Sequence, residues 1–356
     1  MDTMKIAVFL PNWLGDLAMA TPTLRALRRH FGGETKIVGL LRPYLFDLLG
    51  GTDWFDELWP FDPRSEDRSL RGWALAKRMR EEQFDLAVML TNSLRTAIVA
   101  WAGGAKRRIG YARYGRGPLL TDKLVPLRHR GRIVPEPVVD TYLAIAEKLG
   151  CGRESPQLEL RTTAADERSA DAVFARLKLR IDGRVVLLNS SGAYGGAKLW
   201  PMEYFAELAR RIVRERDHDV LIMCGPKERD MARRIVAESA SDRVFSMADQ
   251  PMDLGTAKTC IRRGRMMVST DSGPRHVAAA FGLPIVALYG PMLPVWSENP
   301  TQRAANLVLD LPCIGCHKRV CPLGHHRCMH DLTVDRVFAE TVKMLDAERD
   351  RESRAA

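Results

Sequence analysis

The sequence predicts an α/β protein built as two facing Rossmann-like domains with a cleft between them. Three observations carry this. Short apolar runs of strand type alternate with helix-like stretches along most of the 356 residues. One opening, strand then glycine-containing loop then helix, occurs at residue 5 and again at residue 184. Hydrophobic residues make up 46% of the chain, enough for two cores.

The elements follow in order. KIAVFL (5–10) is an apolar run and reads as the first strand. PNWLGDLAMATPTLRAL follows with helical spacing through about His30. Pro22 falls inside that stretch, which predicts either a kink or a restart with Thr21 as cap. TKIVGLL (35–41) opens the next unit. FDLAVML (84–90) reads as a buried strand, followed by NSLRTAIVAWAGG and RRIGY. The polar stretch CGRESPQLELRTTAADERSADAVFARLKL marks the middle of the chain. RVVLLNS (184–190) then restarts the plan. It leads through SGAYGGAKLW into PMEYFAELARRIVRER, an amphipathic helix with Pro201 at its first position. DVLIMCG, RVFSMA, RMMVST and PIVALYG are short strands between helices. LTVDRVFAETVKMLDAERDRESRAA reads as a last helix with a frayed charged tail and an apolar stripe of Val334, Val337, Phe338, Val342 and Leu345. The expected division is 1–175, 176–331, and a helix with tail at 332–356.

Net charge is +10, from 54 Lys and Arg against 44 Asp and Glu, and the basic residues are dispersed. A spread positive field suits nucleotide phosphates, acidic glycolipids, a bilayer surface or nucleic acid. Dispersal, and the lack of any zinc-finger or aromatic RNA-binding motif, argue against nucleic acid. The opening residues show no basic leader with a cleavage site. The longest apolar stretch, 277–290, is broken by Gly282 and Pro284 and is too short to span a bilayer. A cytoplasmic protein is therefore expected. The odd count of 7 Cys argues against a secreted disulfide framework.

Three loops follow strand ends, where open α/β sheets bind ligands. Asp16 is the carboxylate after the first strand. It is either a helix cap or a general base placed to take a proton from a hydroxyl. NSSGAYGGAKLWP (189–201) combines glycines, Ser190, Ser191 and Lys198, a set suited to an anion. It is not a Walker A loop, because Ala197 precedes Lys198 and no Ser or Thr follows. STDSGPRHVAAAFGLP (269–284) sets Ser272 and Gly273 at a helix N-terminus, where a diphosphate is stabilised. Asp271 beside them suits a sugar hydroxyl, and His276 falls on the first turn.

TDSGPRHVAAAFGLPIVALYGP closely resembles the donor-binding signature of glycosyltransferase family 9, the lipopolysaccharide heptosyltransferases. PNWLGDLAMATPTLRALR, SGAYGGAKLWPMEYFAELA and CIGCHKRVCPLGHHRCMHDLTVDRV resemble further segments of that family in the same order. The last is most like the heptosyltransferase II type. The resemblance implies a GT-B fold, an ADP-heptose donor, a lipid A-linked inner-core acceptor and inversion at the anomeric carbon. It implies Asp16 as catalytic base and Lys198, Ser190, Ser191 and Gly192 near the donor diphosphate. Asp271 would contact the sugar, with Ser272, Gly273 and His276 in the phosphate-binding turn. Asn92, Ser93, Arg95, Arg113 and Arg116 lie where the family's acceptor side is expected. No cofactor is required by that mechanism, and loose association with the inner membrane surface follows from a lipid acceptor.

Two other features invite metal. Asp217-His218-Asp219 has Asp-x-Asp spacing but reads as a solvated turn. Cys313, Cys316, Cys321 and Cys328 supply thiolates enough for a tetrahedral zinc site, although the spacing matches no standard finger or ribbon. The alternatives to a heptosyltransferase are a GT-B transferase using another nucleotide sugar, and a basic membrane-surface or nucleic-acid binding protein with a Cys-rich metal site.

Overall fold

The computed structural model describes residues 3–190, 192 and 195–355. The chain divides into two compact units, Met1–Arg161 with Val295–Asn299, and Thr162–Pro294 with Pro300–Ala356.

The first unit runs β1 (Lys5–Phe9), α1 (Leu14–Phe31), β2 (Lys36–Leu41), β3 (Glu57–Pro60), α2 (Gly72–Glu82), β4 (Leu86–Met89), α3 (Leu94–Ala102), β5 (Arg107–Tyr111) and β6 (Asp122–Leu124). A small hairpin, β7 (Arg128–His129) and β8 (Arg132–Ile133), and α4 (Val138–Lys148) complete it. The sheet is parallel in the order β3-β2-β1-β4-β5-β6. Ala7, Phe9, Val38 and Leu40 share one of its faces and pack with Leu75 and Met79 of α2 and Ala97 and Ala100 of α3.

The second unit runs α5 (Ala164–Leu177), β9 (Val185–Asn189), α6 (Met202–Arg216), β10 (Asp219–Met223), α7 (Arg229–Ser239), β11 (Val244–Ser246), α8 (Leu254–Arg262), β12 (Met266–Thr270), α9 (Gly273–Ala280), β13 (Ile285–Tyr289), β14 (Ala304–Val308), α10 (Arg327–His330) and α11 (Val334–Ala355). Its parallel order, β11-β10-β9-β12-β13-β14, repeats that of the first. β9, β10, β12 and β13 are buried along their whole length, as a parallel sheet covered on both faces demands. Phe205, Leu208 and Ile212 of α6 and Val337, Phe338 and Leu345 of α11 close one face of it. The strand order reverses between β1 and β4, and again between β9 and β12. Those are the positions where doubly wound sheets open for a ligand.

Several expectations change in detail. Helix α5 belongs to the second unit, not the first. It packs on α8 through a Ser169–Thr256 hydroxyl pair at 2.6 Å and the ion pair from Arg262 to Glu167. The tail expected to fray is helical to Ala355, its Asp346, Glu348 and Glu352 paired with Arg216, Arg303 and Arg265. Pro201 is the residue before α6 rather than its first. Asp217-His218-Asp219 is an ion-pair cluster more than a solvated turn. Asp217 pairs with Arg180, Arg184 and Arg243, and its carboxyl falls to about 2 through bonds from Arg243 and Arg180. Asp219 is buried and bonds Arg243 at 2.8 Å. No described helix is long and apolar enough to cross a membrane.

Candidate functional site

In the first unit, α1 starts at Leu14 with Trp13 as its N-cap, and Trp13 makes no side-chain capping bond. Asp16 is therefore the third residue of the helix and not its cap. It sits half-buried at the positive end of the helix dipole. Its charge reaches two phenols. Tyr142 is held well above the usual tyrosine range, by burial first and Asp16 second. Tyr44 is raised mainly by burial, with Asp16 a smaller contributor. Pro22 neither stops nor restarts the helix. It lacks the N–H that would reach the Ala18 carbonyl, and the Thr21 hydroxyl donates to that carbonyl at 2.8 Å. The same hydroxyl accepts the Glu159 N–H at 3.1 Å.

The loops after β1 and β4 line one small hollow that includes Asn12, Thr91, Ser93 and Arg95. Arg95 is exposed and donates to the Pro63 carbonyl at 3.1 Å. Arg116, expected on the acceptor side, is fully buried and directed inward. It donates to the Tyr111 carbonyl at 2.7 Å, to the Thr91 carbonyl, and to Asn92 Oδ1 at 3.1 Å. It thus holds the Thr91–Asn92 turn in place. Burial, then the neighbouring Arg113, lowers its pKa to about 10, which leaves it charged at neutral pH. Arg113 is half-buried over the Tyr114 ring, with Nε unpaired among the described residues.

In the second unit, the carboxyl ends of β9 and β12 lie side by side, Asn189 opposite Ser269. Asn189 Nδ2 donates to Ser269 Oγ at 2.9 Å and to Ser272 Oγ at 2.7 Å. This ties the end of one strand to the turn that starts α9. Ser272 precedes Gly273 and Pro274, and its side chain makes no capping bond to the helix. Lys198 reaches this turn from a short helical turn at Gly196–Lys198. Its Nζ donates to Asp271 Oδ2 at 2.7 Å and to the Asp271 carbonyl at 2.8 Å. Arg275 Nε donates to Asp271 Oδ1 at 3.2 Å. Burial alone would raise the Asp271 carboxyl, but Arg275 and Lys198 outweigh it and hold it below the ordinary range. His276 is buried, and burial followed by the Arg275 charge pushes its imidazole well below the usual histidine range.

Among the described residues, four buried polar atoms around these strand ends find no hydrogen-bond partner: Asn189 Oδ1, Ser190 Oγ, Arg275 Nη2 and His276 Nδ1. Buried polar groups are otherwise almost always paired, so a cluster of orphans beside an uncapped helix start suits a polar ligand. The Gly192 N–H is taken by Glu228 Oε1 at 3.2 Å, whose other oxygen accepts the Gly225 N–H at 2.8 Å. Ser191 lies outside the described residues.

The Cys-rich segment buttresses the Lys198 turn. The Ala197 N–H donates to the Arg319 carbonyl at 3.0 Å, and His326 Nε2 bonds the Ala197 carbonyl at 2.7 Å. Gly195, with φ of 157°, allows this approach, since a Cβ there would stand 2.8 Å from that of Arg319. Cys313, Cys316, Cys321 and Cys328 line one small cavity with His325 and His326. Cys328 is raised to about 11 by burial and then by the three other thiols. Among the described residues, no three His, Cys, Asp or Glu side chains are arranged to hold a metal ion.

Arg275, Asn189 and Glu228 were not singled out in the sequence. Arg275 had a signal: a cation four residues after Asp271, on a helix start otherwise running into VAAA. Asn189 had a weaker one, as the polar end of an apolar strand.

A family model described as glycosyltransferase family 9 (heptosyltransferase) matches residues 72–327, more than half of the chain. Lipooligosaccharide heptosyltransferase 2 of Campylobacter jejuni subsp. jejuni serotype O:6 is 27% identical, over 96% of this chain and 99% of its own. Lipopolysaccharide heptosyltransferase 2 of Salmonella typhimurium is 26% identical, over 97% and 99%. Among solved structures, the glycosyl transferase family 9 protein of Veillonella parvula DSM 2008 superposes with a TM-score of 0.83 at 23% identity, over 97% of this chain and 98% of that one. E. coli ADP-heptose lps heptosyltransferase II superposes with a TM-score of 0.76 at 24% identity, over 97% and 100%. These likenesses bear out the α/β, GT-B fold class at the level of its two Rossmann-like units. The chain belongs to glycosyltransferase family 9 and is a glycosyltransferase.

Proposed function

We propose that the chain transfers heptose from ADP-heptose to the lipid A-linked inner core of lipopolysaccharide, with inversion at the anomeric carbon. The observation that supports this best is the Lys198–Asp271–Arg275 cluster at the uncapped start of α9, ringed by polar atoms without a partner among the described residues. In this reading the donor diphosphate takes the α9 N–H groups and Lys198, and Asp271 receives a sugar hydroxyl. His276, held neutral, adds hydrogen bonding without a further charge. Ser190 Oγ offers a donor to a phosphate oxygen. Asp16 removes the proton from the acceptor hydroxyl as that oxygen bonds to the anomeric carbon. The bond from that carbon to the diphosphate breaks with its electron pair on the leaving oxygen. The transition state carries oxocarbenium character, as in glycoside hydrolysis. In this reading the step needs no cofactor. Since the donor is a soluble nucleotide sugar and the acceptor a lipid, the reaction is placed at the cytoplasmic face of the inner membrane.

Calorimetric titration with ADP, ADP-heptose, UDP and a UDP-sugar tests the donor. Tightest binding of ADP-heptose is expected. Preference for a uridine nucleotide would keep the transferase and remove the heptose. Transfer onto a core acceptor that lacks this heptose tests the second half.

A further inference from the structure

The outer faces of α2 and α3 are unlike the other helix faces of the protein. On α3, Thr96, Ala97, Val99 and Ala100 face the core, as expected. The opposite side carries Leu94, Ile98 and Trp101, spaced four and three residues apart on one stripe, at 42%, 36% and 57% exposure. On the neighbouring α2, Trp73 is 77% exposed, and Lys77 follows it one turn later on the same side. The two helices run parallel on one face of the first sheet and pack into one core cluster. Arg80 fastens them by donating to the Ala102 carbonyl at 2.6 Å. By contrast, α6 and α7 of the second unit turn Arg–Glu pairs to solvent, such as Arg214–Glu215 and Arg234–Glu238. Those are solvated faces.

We infer that the outer face of α2 and α3, formed by Trp73, Leu94, Ile98 and Trp101 and bordered by Lys77 and Arg95, is the surface by which this protein binds an anionic lipid bilayer. Tryptophans on an aliphatic stripe, with cations at the margin, are what an interfacial helix layer presents. The rings sit at headgroup depth and the cations meet lipid phosphates. Four apolar side chains are few beside the roughly 20–30 residues a stable protein interface takes from each partner, and they suit reversible attachment. Its position also fits. Trp73 and Leu94 lie at the N-terminal ends of their helices, at the same rim of the sheet as the Asn12–Ser93 hollow. A bilayer against this face holds that hollow beside the headgroups, where the sugar of a lipid-linked acceptor lies. The inference deepens the proposed function and takes its choice of lipid surface from it, but binding is measured without donor or acceptor.

The experiment is co-sedimentation of the full chain with vesicles of phosphatidylethanolamine and phosphatidylglycerol, and with vesicles of phosphatidylcholine alone. The expected result is salt-sensitive binding to the anionic vesicles, reduced about tenfold by Trp73→Ser with Trp101→Ser and reduced in part by Lys77→Glu. Tryptophan fluorescence should be quenched by brominated lipid in the parent chain and much less in the double variant. ADP titration of each variant reports whether the fold and the donor site survive. If ADP fails to bind the parent chain while vesicles do bind, the donor reading falls and this one stands. Equal vesicle binding by parent and both variants would overturn the inference. So would no binding by the parent, or a parent dimer that the double variant dissolves in sedimentation velocity, which would make the face a contact between copies.

Discussion

Lys198 grips Asp271 twice, its ammonium 2.7 Å from the carboxylate and 2.8 Å from the backbone carbonyl of the same residue. The two residues are 73 apart in sequence, so the pair joins the loop after β9 to the turn before α9. A donor diphosphate that recruits Lys198 competes for the same protons. Lys198→Ala should therefore raise the donor KM and the calorimetric Kd for ADP by about tenfold or more, with a smaller fall in kcat. Unchanged ADP affinity would remove Lys198 from the phosphate site.

Arg275 is the second cation on Asp271 and is almost wholly buried. Arg275→Met leaves the Asp271 carboxylate with Lys198 as its main counter-charge and should cost about 2–3 kcal/mol of folding stability. Arg275→Lys should recover part of that loss. Urea denaturation midpoints of the three proteins give the comparison, with the m-value checked for constancy.

His276 gives stability a pH dependence of known sign. Its folded pKa lies well below its ordinary 6.5, so between those values the unfolded chain binds the extra proton and the native chain does not. Stability should fall as the pH drops below about 6.5. His218, lowered chiefly by its own burial, acts in the same direction. Asp271 has the opposite charge but also a depressed pKa. Its contribution is present above its ordinary 3.8 and is lost only as the pH falls through its lower folded value. His276→Gln should flatten the slope between pH 6.5 and pH 5 in denaturant titrations and leave the region below pH 4 to the carboxylates. An unaltered slope would mean that His276 titrates normally.

Asp16→Asn should abolish turnover, by about a hundredfold or more, with ADP affinity retained. Single-turnover assay and calorimetry on the same preparation separate the two. Weakened ADP binding in this variant would count against a role confined to the acceptor hydroxyl.

Thr21→Val removes the donor to the Ala18 carbonyl and the acceptor for the Glu159 N–H together. The expected cost is about 1–3 kcal/mol, because one buried and one half-buried backbone group lose their partner. A thermal shift within error of the parent would show that the helix tolerates Pro22 unaided.

Most strands legible in the sequence were those buried on both faces, the edge strand β11 in RVFSMA being an exception. KIAVF, VVLLN, MMVST and IVALY are continuous apolar runs because helices cover both sides of a parallel sheet. β3, β6 and β14 were not foreseen, and each is an edge strand. Edge positions are only half covered, so DKL has no apolar run, and Asn306 interrupts that of β14. The site was legible in the same uneven way. Asp16, Lys198, Asp271 and Ser272 could be read from loops that follow buried strands. The inward turn of Arg116 could not, because what an arginine does depends on the carbonyls folding brings to it.

The order of residues alone was sufficient for the repeated strand–loop–helix plan, the family, and the loops that hold charge and glycine together. These are local properties, written in periodicity and in residues a few positions apart. Folding alone decided that α5 joins the second unit, that the last helix is pinned to its end by arginines, and that the Cys-rich segment braces the Lys198 turn. It also decided that Asp271 stands between Lys198 and Arg275. Each of these depends on partners tens of residues or more away for at least one of its contacts, and hydrogen bonds and Coulomb forces act over a few ångströms of space, whatever the distance along the chain.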